Sequence, residues 1–241
     1  MGYFIVIFAL SGLILIHELG HFFMARWMKI PVARFSIGFG PKLWMFRRGD
    51  TEYRLSVIPI GGYVLLKIED ETEFFGIPIH KRIIFTLGGP AANVLLALLL
   101  LAFLNTAVSG ISFTGIAMEP FSQALRQTGQ ILGAIPRLFS HSDELSGVVG
   151  IVAQGGSFVG TDLIKALSLS IFLSLNFAIF NMLPISPLDG GKILLYILER
   201  IHPRLSRLHV PLALAGWALL LGLMVYATAL DIGRQFAGMI T

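Results

Sequence analysis

Long apolar runs separated by charged loops dominate this chain. Four runs, at about 3–28, 83–104, 166–188 and 210–229, are long enough to cross a bilayer as helices, which takes about 20 residues each. The first run lacks the basic start and the cleavage site of a signal peptide, so we interpret it as a retained helix. The pattern predicts an all-α polytopic membrane protein of about four transmembrane helices, with residues 1–241 forming one domain.

The positions of the charged residues predict the orientation of these helices. Only 13% of the 241 residues are charged, about half the share found in soluble domains. Ten Lys and Arg residues lie in segment 25–82, whereas segment 105–162 holds only two. Cytoplasmic loops carry the excess of Lys and Arg, so we expect the first and third loops in the cytoplasm and both termini outside. The net charge of +4 thus reflects topology, and we expect no nucleic-acid partner.

Two of the loops carry patterns of their own. Residues 51–67 alternate between polar and apolar side chains around Pro59–Gly62, which predicts a membrane-associated β-hairpin after the first helix. Between the second and third apolar runs, residues 119–139 have the spacing of an amphipathic helix, and a glycine-rich connection is expected to follow it.

Three ionisable residues interrupt the first apolar run as His17-Glu18-Leu19-Gly20-His21. Positions i and i+4 share one face of a helix, so both imidazoles can bind a single metal ion, and Glu18 beside that face can reach a metal-bound water. His17 lies fourteen residues after Tyr3, which places the metal roughly 21 Å from the outer surface. The alternative is a chance match to the HExxH pattern, but ionisable groups at this depth are usually functional.

A catalytic zinc ion usually has three protein ligands, and the chain has no cysteine to supply one. The best third ligand is Asp189, at the cytoplasmic end of the third run, because Pro184 and Pro187 interrupt the helix just before it. Taken alone, Asp189 could equally be a helix-end residue before a Gly-Gly turn. The other histidines lie in loops or at span edges and are expected to be ordinary interfacial residues; they are His80, His141, His202 and His209.

These motifs resemble the site-2 protease family of intramembrane zinc metalloproteases, and most closely its bacterial regulator-of-sigma-E protease branch. The matching segments extend along nearly the whole chain; they are HELGH (17–21), ARFSIGFGPKLW (33–44), TEYRLSVIPIGGYV (51–64), GGPAANVLLA (88–97), DELSGVVGI (143–151) and NMLPISPLDGG (181–191). Two departures stand out. Only about sixty residues separate the second and third runs, too few for the PDZ domain typical of that branch, and Ser186 replaces a common proline.

The resemblance implies specific roles for individual residues. His17, His21 and Asp189 match the ligands of Zn²⁺, and Glu18 matches the general base. Substrate or active-site contacts are implied for the remaining matched residues, which are Asn176, Asn181, Gly61, Gly62 and Tyr63. The last three belong to the hairpin, which is expected to hold the substrate as an added strand.

The expected function is therefore that of a zinc metalloendopeptidase that cuts transmembrane segments of membrane-anchored proteins. Single-span substrates such as anti-sigma factors or signal-peptide remnants fit the resemblance. We expect the protein in the bacterial inner membrane, in contact with the lipid bilayer, with its active site near the cytoplasmic side. Two alternatives stay open: a catalytically silent homologue that binds membrane proteins, and a metal transporter, which would need polar residues along a transmembrane path.

Overall fold

The computed structural model describes residues 1–68, 71–140 and 146–240. Helices and two strands follow one another in the order α1 (Gly2–Trp27), β1 (Val32–Arg48), β2 (Thr51–Leu66), α2 (Glu71–Gly76), α3 (Ile79–Ser109), α4 (Glu119–Ser140), α5 (Val148–Val159), α6 (Leu163–Asn181), α7 (Asp189–Ile201) and α8 (His209–Ile240). A π-helical turn at Thr114–Met118 leads into α4, and a 3-10 helix at Pro203–Leu208 joins α7 to α8.

Four of the described helices are long and apolar enough to cross a membrane: Gly2–Trp27, Ile79–Ser109, Leu163–Asn181 and His209–Arg234. The prediction of an all-α membrane protein with about four transmembrane helices is therefore confirmed. The third helix ends at Asn181 rather than near residue 188. The two prolines that follow lack backbone N–H donors, and the chain re-enters a helix only at Asp189.

Helices α1 and α3 approach each other closely because glycines face each other across their contact. A Cβ atom added to Gly20 would lie 2.7 Å from the Cβ of Ala92, and one added to Gly88 would lie 2.8 Å from Cγ of Met24. Small residues let membrane helices approach in this way. The contact brings the HExxH turn of α1 against the Gly88–Gly89 turn of α3.

Helix α6 also packs on α3, through an apolar cluster. Its buried members include Ala97 and Leu101 from α3 and Ile171 and Leu175 from α6. A hydrogen bond adds to this contact, since the hydroxyl of Ser174 donates to the backbone carbonyl of Asn93 over 2.8 Å. Helices α1, α3 and α6 thus form the unit that surrounds the histidines.

The antiparallel hairpin expected after the first helix is present, but its turn lies elsewhere. Strands β1 and β2 meet at Gly49–Asp50, where Arg48 pairs with Thr51 and Gly49 has a φ of +60°. The expectation of a hairpin around Pro59–Gly62 is wrong because this segment continues β2. Gly61, with a φ of +74°, lets the strand bend without reversing.

In its described residues, the loop between α3 and α6 contains α4 and α5 in addition to the π-helical turn. Helix α4 agrees with the predicted amphipathic segment and contributes buried Ala124 and Ile131 to the cluster with α3 and α6. The expected glycine-rich connection instead includes α5, which packs on α1. Its glycines permit this close packing: a Cβ added to Gly155 would lie 3.3 Å from Val6 of α1.

Candidate active site

Three side chains from two distant parts of the chain meet in the interior. His17 and His21 lie one turn apart on α1, and Asp189 is the first residue of α7. The two histidine Nε2 atoms are 3.1 Å apart. Asp189 Oδ2 lies 3.1 Å from His17 Nε2 and 3.3 Å from His21 Nε2. Within the described parts of the chain, this is the one cluster of potential ligands whose atoms all lie within 4.8 Å of one another.

The triangle of ligand atoms fits a tetrahedral metal ion. Zinc binds nitrogen and oxygen ligands at about 2.0–2.1 Å, which separates neighbouring ligand atoms of a tetrahedron by about 3.3 Å. The observed separations, 3.1 to 3.3 Å, match this edge. Asp189 Oδ2 is also buried and has no aligned hydrogen-bond donor among the described residues. Two imidazoles and one carboxylate are a typical ligand set of catalytic zinc.

Two of the three ligands are held from their far sides. The Nδ1 atom of His21 lies 3.0 Å from the backbone carbonyl of Phe85; donation from Nδ1–H leaves the Nε2 lone pair free for a metal. Lys192 Nζ donates to Asp189 Oδ1 over 3.1 Å, which leaves Oδ2 for the metal. Burial by itself would raise the pKa of the Asp189 carboxyl, but the two imidazoles and the charge of Lys192 lower it well below its ordinary value.

The imidazoles lie against the backbone of α3. A Cβ atom added to Gly89 would lie 2.5 Å from His21 Nε2 and 2.6 Å from His17 Nε2. On the side of α6, the ring of Phe177 meets the His17 ring edge-on, with centroids 5.3 Å apart. A larger residue at position 89 would therefore displace the ligand atoms.

Glycines also determine how α7 presents Asp189. Gly190 and Gly191 continue α7 after Asp189, so the Gly-Gly turn of the alternative interpretation is wrong. A Cβ added to Gly191 would lie 2.5 Å from the carbonyl oxygen of Ile185. The segment that follows α6 therefore passes directly against the first turn of α7 and fixes the position of Asp189.

Glu18, the expected general base, lies between the two histidines in the sequence of α1. Its side chain is partly exposed, and it is close enough to His21, His17, Lys192 and Asp189 to interact with all four electrostatically. Glu18 therefore lies near the ligand triangle, and its role as general base stays a prediction.

An apolar cavity of about 900 Å³ opens beside the cluster. It is lined by α1, α5, α6 and Ile60 of β2. Phe177 lines the cavity and also contacts His17, so one side chain connects the wall of the cavity to the predicted ligands. Asn176 is in the lining as well, although its amide nitrogen donates to the Phe172 carbonyl over 2.8 Å.

The other predicted substrate contacts lie in two places. The amide nitrogen of Asn181 donates to the Phe177 carbonyl over 2.8 Å at the end of α6. Gly61 and Gly62 are buried against α1, where a Cβ added to Gly61 would lie 2.8 Å from Ile14. Tyr63 stacks on Phe39 with centroids 6.0 Å apart. The two glycines thus position the hairpin on α1, and their contact with substrate stays a prediction.

Of the other histidines, none belongs to the ligand cluster within the described residues. His80 and His202 are exposed, and His209 Nε2 lies 3.5 Å from Glu199 Oε2. His141 lies outside the described residues.

Two functional-site features were missed by sequence reasoning. Asn93 is completely buried, and its amide lies 3.3 Å from His17 Nδ1.

The second feature is an ion pair that joins α3 to α7. Arg82, 1% exposed, donates to both carboxylate oxygens of Glu199 over 2.9 and 2.7 Å. The Tyr196 ring lies 4.8 Å from this guanidinium, and burial raises the pKa of Tyr196 to about 12, so it faces Arg82 as a neutral phenol. In both cases the available signal was a polar residue in or beside an apolar run.

The site combines two histidines and one carboxylate, buried between helices that are apolar enough to cross a membrane, with a glutamate nearby. This combination is typical of membrane metallopeptidases. The sequence matches the profile described as "Peptidase family M50" over residues 5–223. The chain therefore belongs to this family, which is zinc-dependent.

Individual relatives carry the name "Putative zinc metalloprotease". The protein of Thermotoga maritima is 36% identical over 163 residues, which are 63% of this chain and 31% of that protein. The protein of Helicobacter pylori is 49% identical over 71 residues, which are 30% of this chain and 20% of that protein. The alignments thus cover less than a third of these relatives. The relative in Fusobacterium nucleatum is 25% identical over 339 aligned positions, which cover 98% of this chain and all of that protein.

Proposed function

We propose that this chain is an intramembrane zinc metalloprotease that hydrolyses peptide bonds in transmembrane segments of membrane-anchored proteins. The observation that carries the proposal is the ligand triangle, with edges of 3.1 to 3.3 Å, buried between helices that are apolar enough to cross a membrane. Membership of peptidase family M50 and the name shared by the relatives support the same chemistry.

The residues divide the chemistry among themselves. His17 Nε2, His21 Nε2 and Asp189 Oδ2 would hold the zinc ion, which would supply a Lewis acid and an activated water. The Glu18 carboxylate would accept a proton during the attack and would pass it to the nitrogen of the leaving amine. Phe85 and Lys192 keep His21 and Asp189 oriented through this exchange. No side chain forms a covalent acyl intermediate in this scheme.

The apolar cavity supports a transmembrane substrate. Its walls are almost entirely apolar, which suits a segment that comes directly from lipid. A helical segment must unwind before its carbonyl carbons can be attacked, and the hairpin offers a strand edge for the unwound chain. Ile60 of β2 lines the same cavity. Single-span proteins such as anti-sigma factors or signal-peptide remnants are the proposed partners, in a bacterial inner membrane with both termini outside.

The position of the cut tests this proposal. Purified protein in liposomes is mixed with a single-span substrate, and the products are mapped by mass spectrometry before and after zinc is removed and restored. We expect cleavage within the apolar segment that stops without zinc and returns with it. Asp189→Asn should abolish cleavage, whereas Asp162→Asn, the same change at an exposed helix cap, should not. Cleavage confined to soluble flanks, or cleavage that ignores zinc, would overturn the proposal.

A further inference from the structure

Asn93 occupies a position that the proposed chemistry does not yet use. It lies on α3, one turn after Gly89, and none of its surface is exposed. Its side-chain Nδ2 is 3.3 Å from His17 Nδ1. Its Oδ1 is buried and has no hydrogen-bond partner among the described residues. Its backbone carbonyl accepts from Ser174 of α6, so both neighbouring helices hold this residue in place.

The orientation of the amide determines which proton His17 can carry. With Nδ2 facing it, Nδ1 of a neutral imidazole acts as the acceptor, and the proton must sit on Nε2. Nε2 is the atom that faces Asp189 Oδ2 at 3.1 Å, and a protonated Nε2 has no lone pair for a metal. This orientation therefore leaves His17 in the tautomer that cannot bind metal at the cluster.

A rotation of the Asn93 amide by 180° resolves both the wrong tautomer of His17 and the missing partner of Oδ1. Amide oxygen and nitrogen have nearly the same shape, so the exchange leaves the packing unchanged. Oδ1 then accepts from His17 Nδ1–H, and the Nε2 lone pair points toward His21 and Asp189. The buried Oδ1, which otherwise has no partner among the described residues, gains a donor.

We propose that Asn93 is a positioning residue whose Oδ1 accepts a hydrogen bond from His17 Nδ1–H and so keeps His17 Nε2 free for the metal. The inference rests on the proposed metal-binding role of His17. Asn93 then orients His17 through a hydrogen bond to the atom that faces away from the metal. The Phe85 carbonyl orients His21 in the same way, and Lys192 orients Asp189. Outer partners of this kind typically change metal affinity about 10- to 100-fold.

The tautomer of His17 can be read without metal or activity. Metal-free Asp189→Leu protein labelled with ¹⁵N-histidine is studied by NMR at about pH 8.5, above the ordinary imidazole pKa, and a further His17→Gln change identifies the signal. The Asp189 change is needed because the carboxylate, 3.1 Å from His17 Nε2, would itself attract a proton to Nε2 when no metal is bound. We expect His17 to carry its proton on Nδ1 in this protein and to show a mixture of tautomers when Asn93→Leu is added. A proton on Nε2 with Asn93 intact, or an unchanged tautomer after Asn93→Leu, would overturn the proposal.

Zinc affinity, measured by competition with a chelator, provides the second readout. Asn93→Leu should weaken zinc binding by about 10- to 100-fold, whereas Asn93→Asp, which can only accept at this position, should stay close to wild type. Ser174→Ala is the matched control, because it removes the bond to the Asn93 backbone and leaves the amide intact; its loss should be smaller than that of Asn93→Leu. An Asn93→Asp protein that folds but binds as weakly as Asn93→Leu would refute the acceptor role.

The two readouts separate the failure of this inference from that of the proposed function. A folded wild type that does not bind zinc would count against the metal site itself, while the metal-free NMR experiment would still determine the role of Asn93. If the Asn93 variants fail to fold, the tautomer of His17 in the Asp189→Leu protein with Asn93 intact supports or overturns the inference.

Discussion

His17 Nε2 and Asp189 Oδ2 lie 3.1 Å apart, although one residue belongs to the first spanning helix and the other begins a separate helix after the third. Nothing local in the chain imposes this distance. It depends on how closely α1 approaches α3 and on how α7 is fastened to α3. The first two predictions test these two contacts.

The contact of Gly89 with the imidazoles predicts that Gly89→Ala loses zinc. The added Cβ would lie within 2.6 Å of both Nε2 atoms, and the buried rings have little room to retreat. We expect zinc affinity to fall by about tenfold or more, measured by chelator competition on folded protein. Gly12→Ala is the control, because a Cβ there meets nothing within 4 Å. Wild-type affinity in Gly89→Ala would contradict the close approach.

The ion pair between Arg82 and Glu199 predicts a large loss of stability when one partner is removed. Glu199→Gln leaves the guanidinium of Arg82, only 1% exposed, without its countercharge, which typically costs about 3–5 kcal/mol. Unfolding in detergent, followed by circular dichroism against denaturant, measures the change.

The double variant Arg82→Met/Glu199→Met serves as the control for this ion pair. It should be less destabilised than the sum of its single variants, because neither charge is left alone. Simple additivity of the two single changes would show that the ion pair does not connect α3 and α7.

A third prediction concerns Asp231 on α8, which caps the beginning of α5. Its Oδ2 accepts from the backbone N–H groups of Gly147 and Gly150 over 2.8 and 2.7 Å. The first N–H groups of a helix have no partner within the helix, and losing such a cap costs about 1 kcal/mol. Asp231→Leu should therefore speed hydrogen exchange in Val148–Val159 and leave the zinc content unchanged.

The matched control for Asp231 is Asp162→Ala, which removes the exposed cap of α6 and should leave exchange in α5 unchanged. Protection of α5 that is the same in Asp231→Leu and in the wild type would show that the buried carboxylate does not hold this helix.

A fourth prediction concerns orientation in the membrane. The chain contains no cysteine, so single cysteines can be labelled without further changes. Lys42→Cys on β1 and Ser122→Cys on α4 replace exposed residues. In right-side-out vesicles an impermeant maleimide should label position 122 and reach position 42 only after the membrane is opened. The reverse pattern would contradict a cytoplasmic first loop.

Local periodicity was enough to predict the spanning helices and the shared face of His17 and His21. The proximity of Asp189 to the two histidines was predicted from the motif around Asp189, because no local rule specifies how a distant helix packs. The hairpin shows the limit of turn signals: Pro59 and Gly61 suggested a reversal, but Gly61 bends a continuous strand. The actual turn at Gly49–Asp50 has an equally good composition, and only the pairing of β1 with β2 distinguishes the two.

Polar residues within apolar helices show what sequence alone leaves out. Asn93 is an amide within the second run, but its role depends on which atom of His17 it meets. Asp231 lies just beyond the expected end of the fourth run. Its partners are backbone amides at the beginning of α5, a helix that was not predicted because its glycines indicated a connecting loop. Such roles follow from tertiary contacts, which a residue's neighbours along the chain do not determine.

The central claim is that this cluster is the active site of a zinc protease. The most direct test compares cleavage of a single-span substrate by the wild type and by Glu18→Gln, with bound zinc measured in both proteins. We predict zinc in both proteins, cleavage by the wild type, and a rate lower by about 10²–10⁴-fold in the variant, the range expected for loss of a general base. Cleavage by Glu18→Gln at the wild-type rate, or a folded wild type that binds no zinc, would contradict the assignment of this cluster as the active site.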